Sequence, residues 1–329
     1  MEQEAFIASR LPGKNPVFYR GQINYSNSDV FENEKMVFVV KPFQLEGGLY
    51  IINSLEKINP NEFAYYYNTN ISTQNSKEDY YSVFKKAYSE IVSNSGLKKV
   101  VLSRTKTLER PSDMMDYYDS LCKKFPNCFV NLFSSKATGT WIGASPELLF
   151  KMGERHLKTM ALAGTKNKQI GNWSNKEQDE QKYVVDYIKA FFENLELDYT
   201  LKNEYLQMGN IEHLLTKFEY DNFETHNNQD VWEYLFNFMN DLAPTPAVCG
   251  YPKEQAYHTI IQSELYKREL YTGFWGYINY GKRADIYVNL RCAQVTEKEI
   301  IFYAGGGINK GSEVQREWDE TEAKIGLLE

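Results

Sequence analysis

The chain has 329 residues, a length that suits two domains or one large one. Hydrophobic residues make up 42% and charged residues 25%, the balance of a globular protein rather than a disordered one. The formal net charge of −7 argues against a broad nucleic-acid surface, which needs a basic footprint, but leaves room for a small anionic ligand in a local pocket.

The N-terminal stretch MEQEAFIASRLPGK has no apolar core of the signal-peptide kind, and no run of 18 apolar residues occurs. The expectation is a cytoplasmic protein with no membrane partner. The polar stretch 67–78 reads as a surface loop. From Glu78 to Ser95 the residues Tyr80, Tyr81, Phe84, Ala87, Tyr88, Ile91 and Val92 recur at helical spacing, with Gly96 as the stop. Strand patterns follow at Lys99–Leu108, Cys128–Phe133, Gly139–Ile142 and Leu148–Lys151. A second helix runs from Ser174 to Leu195, capped by Ser174 or Asn175. A second polar loop covers 221–230. Ala284–Val295 reads as one strand, with Ile286, Val288, Leu290 and Cys292 on one face and Tyr287, Asn289 and Arg291 on the other. Ile300–Ala304 is a further strand, and Ser312-x-x-Gln315 opens the last helix with a capping-box pattern. Four cysteines are scattered without a CxxC pair, so neither a zinc site nor a disulfide framework is expected. Strands come in runs rather than in βαβ alternation, which predicts an α+β fold with large, mainly antiparallel sheets flanked by helices.

Several charged residues stand where a plain surface would not put them. Glu177 and Glu180 share a helix face that continues into Val184, Tyr187 and Phe191, so they lie in line with the apolar stripe. A first-turn acidic pair favoured by the helix dipole is the plain alternative. Glu317 and Glu320 repeat the spacing on the last helix, and Glu320 with Lys324 also has the order of an ordinary surface pair. Two Glu-x-x-Glu helices together suit a hard divalent cation with oxygen ligands, such as Mg²⁺. Arg291 is a natural bidentate partner for a carboxylate, or an inter-strand ion pair. Glu147 follows a Ser-Pro turn that can hold a general acid rigidly, or is common turn chemistry. Lys99 opens an apolar strand and, if buried, would have the depressed pKa of a base. Gly305–Gly307 read as a glycine turn before the last helix; the lysine precedes Gly311-Ser312, the wrong order for a P-loop.

In their order along the chain, ten segments resemble the chorismate-utilising enzyme family, and within it the isochorismate synthases. They are KVVLSR (Lys99–Arg104), GASPELL (Gly143–Leu149), ALAGT (Ala161–Thr165), KEQDEQ (Lys176–Gln181), EHLLT (Glu212–Thr216), PTPAVCGYP (Pro244–Pro252), RELYTGFWGY (Arg268–Tyr277), NLRCA (Asn289–Ala293), YAGGGI (Tyr303–Ile308) and EWDETEAK (Glu317–Lys324). Each is weak alone; together they span more than two thirds of the chain. The resemblance implies one chorismate-binding catalytic domain over residues 76–329, with residues 1–75 a short N-terminal part of the same fold and the active site in a cleft. It implies Mg²⁺-dependent conversion of chorismate to isochorismate, feeding menaquinone or catecholate-siderophore synthesis. Lys99 would be the base that activates water and Glu147 the acid at the departing hydroxyl. Glu180 and Glu320 would bind the metal directly, with Glu177 and Glu317 as outer carboxylates. Gly164, Thr165, His213, Thr216, Arg291, Tyr303, Gly306 and Lys324 would line the site or hold the substrate's carboxylates.

Lys99 stands where anthranilate synthases usually carry glutamine. Ala163 stands where the aminodeoxychorismate synthases with a lysine nucleophile carry that lysine. Water is therefore the expected nucleophile. Salicylate synthases, which go on to eliminate pyruvate, share both Lys99 and Glu147 and stay as the alternative, as does a silent chorismate-binding protein. Glu180-Gln181 departs from the more usual Glu-His pair. Oligomeric state is left open between monomer and homodimer.

Overall fold

The computed structural model describes residues 4–26, 36–69, 71–73, 76–93, 95–153, 155–169, 171–221, 231–279 and 283–329. The N-terminal part supplies β1 (Glu4–Arg10), β2 (Val17–Ser26), β3 (Met36–Lys41) and β4 (Leu49–Lys57). Next come α1 (Lys77–Val92), β5 (Lys99–Glu109), α2 (Met114–Lys124), β6 (Phe129–Ser135), β7 (Gly139–Ser145), β8 (Leu148–Met152) and β9 (His156–Asn167). The middle holds α3 (Asn175–Asn194), β10 (Thr200–Met208), β11 (Ile211–Asp221), α4 (Val231–Leu242), β12 (Gly250–Tyr251) and α5 (Lys253–Ser263). The chain closes with β13 (Phe274–Asn279), β14 (Arg283–Val288), β15 (Cys292–Val295), β16 (Glu299–Ile308) and α6 (Val314–Ile325).

Among the described residues sixteen strands form one continuous ladder, in the order β10-β11-β9-β8-β14-β13-β3-β4-β2-β1-β6-β7-β15-β16-β5-β12. The described pairings are antiparallel, as the runs of strands predict. The ladder does not lie flat. β6 and β14 are six steps apart, ~29 Å at ~4.8 Å per step, yet the rings of Phe129 and Tyr287 stack with centroids 4.8 Å apart. The sheet therefore folds back on itself. Phe38, Trp275 and Tyr277 from one arm share a core with Phe133, Trp141 and Tyr303 from the other. Trp141 and Trp275 are fully buried there, each worth ~4–6 kcal/mol of transfer free energy.

Helices cover the outer faces. Val184, Ile188 and Phe192 of α3 pack on Phe150 of β8 and Phe218 of β11. Buried residues of α1 and α5, among them Tyr80, Phe84 and Ile260, meet Val100, Leu102 and Ile308. Arg104 of β5 lies over the Trp318 ring at 3.9 Å and donates to Thr321 Oγ1 at 2.7 Å, which fixes α6 against the sheet. Among the described residues no helix is long and apolar enough to cross a membrane.

Three local expectations are corrected. Ala284–Val295 is two strands: the chain breaks at residues 289–291, and Arg291 adopts φ +47°. Asn289 is drawn off by the preceding loop, donating its N–H to Gly273 O and accepting from Thr272 N at 2.9 Å. The glycine run is no turn, for Gly305–Gly307 lie inside β16 and pair with Ser103, Leu102 and Val101. Ser312 does not cap α6. Its hydroxyl accepts from Asn309 N, and the helix starts after Glu313. Ser174 caps α3, as one of the two expected caps, and α1 starts at Lys77, one residue before Glu78, with Ser76 as its cap. Of the polar loop at 221–230, Asp221 ends β11 and the rest lies outside the described residues.

Candidate active site

The fold-back brings the β9–β11 end of the ladder to the β16–β5 end, and a cavity of about 50 Å³ lies between them. Its wall includes Glu147, Ala163, Thr165, Glu180, His213, Arg291, Tyr303 and Lys324. Residues spread over more than half the sequence therefore meet at one place.

Glu147 follows the turn after β7. It is 2% exposed, and its own carbonyl accepts from Val288 N, which pins the turn to β14. Burial pushes its carboxyl up to about 8, against the pull of Lys99, Arg291 and Lys324. Lys99, at the start of β5, is fully buried and does not itself line the cavity; it stands behind Glu180, which does. Its Nζ lies 3.2 Å from Glu180 Oε1 but has no well-aligned hydrogen bond among the described residues. Burial pushes its pKa down, with Glu180 opposing. Burial disfavours the charged form of either group, so it raises the acid and lowers the base.

Glu180 is the buried member of the first Glu-x-x-Glu pair. Burial alone would raise its pKa, but Lys99, Lys176 and Lys324 hold it down to about 2. Glu177 behaves differently. It closes a capping box, accepting from Ser174 N at 2.9 Å, so its carboxylate is engaged at the start of α3. On α6, Glu317 is 2% exposed, and burial pushes it up to about 7 despite Lys176. Glu320 pairs with Lys324, which also donates to Gly305 O at 2.7 Å.

The glycines of β16 make room for these carboxylates. A Cβ on Gly307 would stand 2.1 Å from Glu180 Oε1 and 2.8 Å from Lys99 Cε; one on Gly306 would stand 2.9 Å from Glu317 Oε2. Carboxylate oxygens from two helices thus face one strand stripped of side chains. That donor set suits a hard cation such as Mg²⁺. Among the described residues no group of three or more His, Cys, Asp or Glu is placed to hold a metal ion, and lysines pair with these carboxylates. Lys176 Nζ lies 3.3 Å from Glu180 Oε2 and 3.0 Å from Glu317 Oε1, so a cation already sits between the two helices.

On the opposite wall, His213 accepts at Nε2 from Arg291 Nη2 at 3.0 Å, so its Nδ1 carries the proton toward Thr165 Oγ1, also 3.0 Å away. Burial and Arg291 push His213 well below its usual range, which makes it a neutral partner. Among the described residues Arg291 Nε has no hydrogen-bond partner. The bulge between His213 and Leu214 leaves Gly164 unpaired at φ +62°, under the Glu177 backbone, and turns Thr165 into the cavity. Tyr303 lines the cavity with its ring and donates its hydroxyl to Gln294 at 3.2 Å. Thr216 stands apart: it faces α3, taking a bond from Gln181 Nε2 and donating to Asn203.

Two residues were not read as site residues from sequence. Lys176 stands four before Glu180, the same spacing that flags Glu320 and Lys324, and that signal would have found it. Gln181 accepts from Ala163 N at 2.9 Å and donates to Ala161 O at 3.1 Å. It satisfies the β9 edge beyond Leu157 and Lys158, where the described β8 pairing ends. Only the folded sheet reveals that need.

A family model described as chorismate binding enzyme matches residues 49–329. Isochorismate synthase MenF of Escherichia coli (strain K12) is 27% identical over 259 residues, covering 72% of this chain and 56% of that protein. Isochorismate synthase EntC of the same strain is 29% identical over 203 residues, covering 58% and 50%. The matches thus span about half the length of these curated relatives. Among solved structures, one assigned to DhbC, a 2,3-dihydroxybenzoate-specific isochorismate synthase of Bacillus anthracis, superposes with a TM-score of 0.78 at 22% identity, over 99% of this chain and 95% of that one. The menaquinone-specific isochorismate synthase MenF of Escherichia coli gives 0.75 at 20% identity, over 98% and 87%. With its model matched over most of its length, this chain belongs to the chorismate-binding enzyme family.

Proposed function

We propose that the chain is an isochorismate synthase that works with Mg²⁺. The observation that carries the reading is the placing of two buried groups: Glu147 in the cavity wall, its carboxyl pushed up to about 8, and Lys99 behind that wall, 3.2 Å from Glu180 Oε1, its pKa pushed down by burial. Two groups shifted in opposite senses by their surroundings mark a base and an acid.

In this reading Lys99 takes a proton from water as the water oxygen bonds to C2 of chorismate. The ring double bonds shift, the C4–O bond breaks, and Glu147 gives its proton to the departing hydroxyl, which leaves as water. One water enters and one leaves, so the product is an isomer of the substrate. Lys99 ends protonated and Glu147 ionised, and proton exchange with solvent resets both. Arg291 holds a substrate carboxylate with the guanidinium edge that His213 leaves unused. Thr165 and the backbone around Gly164 and Gly306 shape the same pocket. Glu180, Glu317 and Glu320 would hold the metal, which when bound neutralises and anchors the ring carboxylate. Glu177, whose Oε2 caps α3, would keep the outer position. Ala163 offers no nucleophile beside the ring, in keeping with water as the attacking group. The product would enter menaquinone or catecholate-siderophore synthesis.

The test is product analysis. Purified protein is incubated with chorismate and Mg²⁺, with and without EDTA, and the products are resolved by liquid chromatography. Isochorismate alone, lost with EDTA, is the expected result. Salicylate with pyruvate would move the assignment to a salicylate synthase, and unchanged chorismate would leave a silent binding protein.

A further inference from the structure

Lys176 is placed as no surface lysine is. Its side chain is 10% exposed, and its ammonium joins Glu180 of α3 to Glu317 of α6. Both oxygens of Glu317 lie within 3.3 Å of it. Its backbone is fixed as well. Lys176 O accepts from Asn309 Nδ2 at 2.9 Å, and a Cβ on Gly311 would stand 3.2 Å from Lys176 Cβ. The side chain is not fixed in the same way. Lys176 lies in the first turn of α3, next to exposed Ser174 and Asn175, and a flexible four-carbon stem carries its ammonium.

We propose, building on the metal reading above, that Lys176 is a resident cation that stands in for the divalent ion and must leave for it to bind. Glu180 and Glu317 cannot turn their oxygens to a shared metal while both hold the ammonium. Without a metal, the lysine supplies the counter-charge these buried carboxylates need. With one, it is surplus positive charge in a crowded site. The measured metal affinity of the native chain is then its intrinsic affinity reduced to the fraction of molecules whose lysine has swung out.

The test measures metal binding rather than turnover. Mg²⁺ is titrated by calorimetry, without substrate, into the native protein, Lys176→Met and Lys176→Arg. Methionine keeps the stem and removes the charge, so Lys176→Met is expected to bind Mg²⁺ at least tenfold tighter. Arginine keeps the charge and adds a fork suited to two carboxylates, so Lys176→Arg is expected to bind more weakly than the native chain. Melting temperatures in EDTA give a second readout: Lys176→Met should melt lower than the native protein and gain more on adding Mg²⁺. Equal or weaker binding by a folded Lys176→Met would overturn the proposal, since a purely structural lysine gives no gain in affinity. If that variant folds only with metal, equal affinity of Lys176→Arg and the native chain would overturn it. No binding by the native chain or by either variant would overturn the metal reading along with this one. Metal binding with the native order of affinities reversed would overturn this proposal alone.

Discussion

Replacing the Glu147 carboxyl by an amide, Glu147→Gln, is expected to raise stability at neutral pH while abolishing turnover. The folded protein holds this group at about 8, against an ordinary value of 4.5. The unfolded chain ionises Glu147 above pH 4.5; the folded chain keeps the proton until about pH 8. Between those values ionisation favours the unfolded state, and stability falls as pH rises. With ~1.4 kcal/mol per pK unit, the cost is under ~1 kcal/mol at pH 5, ~3 kcal/mol at pH 7 and ~4 kcal/mol at pH 8, where it levels off. Glutamine resembles the protonated acid in shape and carries no such cost. The assay is urea unfolding of both proteins at pH 5, 7 and 8, alongside steady-state rates. The advantage of Glu147→Gln should grow by about 3 kcal/mol from pH 5 to pH 8. Parallel stability curves would refute the idea that burial holds this group protonated, and with it the acid role. A folded variant with normal turnover would refute the role alone.

Gly307→Ala places a methyl group 2.1 Å from Glu180 Oε1 and 2.8 Å from Lys99 Cε. It should cost ~1–3 kcal/mol of stability by overpacking and lower the rate about a hundredfold or more. Gly306→Ala, with its single close contact at 2.9 Å to Glu317 Oε2, should be milder, and thermal melts with kinetics on both would check the order. Arg291→Met should raise KM for chorismate ~10–100-fold, the worth of a charge-assisted bond to a carboxylate, with a smaller change in kcat. An unchanged KM would remove Arg291 from substrate binding.

Much of the chemistry was legible because it leaves local marks. A lysine at the head of an apolar strand, a glutamate after a Ser-Pro turn and glutamates in line with an apolar stripe each break an expected pattern; the structure sets Lys99 against Glu180 and joins Glu180 to Glu317 through Lys176, with Glu147 lining the same cavity as Glu180. What stayed hidden depends on distant partners. The alternation through Ala284–Val295 continues past the break at Arg291 because the strand is diverted by hydrogen bonds to the loop at 270–273, which no local pattern encodes. Gly305–Gly307 look like a turn until two helices bring carboxylates against them. Val37–Val40 of β3 are buried on both faces, so their side chains show no alternation at all. Ser312 has the spacing of a cap, but Asn309 takes its hydroxyl first.

The charges around the cavity suggest what the site is built to receive. Lys176 is matched by Glu180 and Glu317, and Lys324 by Glu320. Among the described residues Arg291 has no such ion pair. It is buried, it stands at a positive φ that costs a non-glycine residue energy, and its Nε is unpaired. Its hydrogen-bonded neighbour, His213, is neutral, and of the acids that act on it Glu320 is already paired with Lys324 and Glu147 keeps its proton. A buried guanidinium left in that state carries a penalty of several kcal/mol. Glu147 cannot relieve it by ionising without ceasing to be an acid. An incoming carboxylate can, and it would gain in binding what the folded chain forgoes in stability. The same burial that keeps Glu147 protonated thus leaves Arg291 short of an anion, so the proton donor and the anion receptor on this wall require each other.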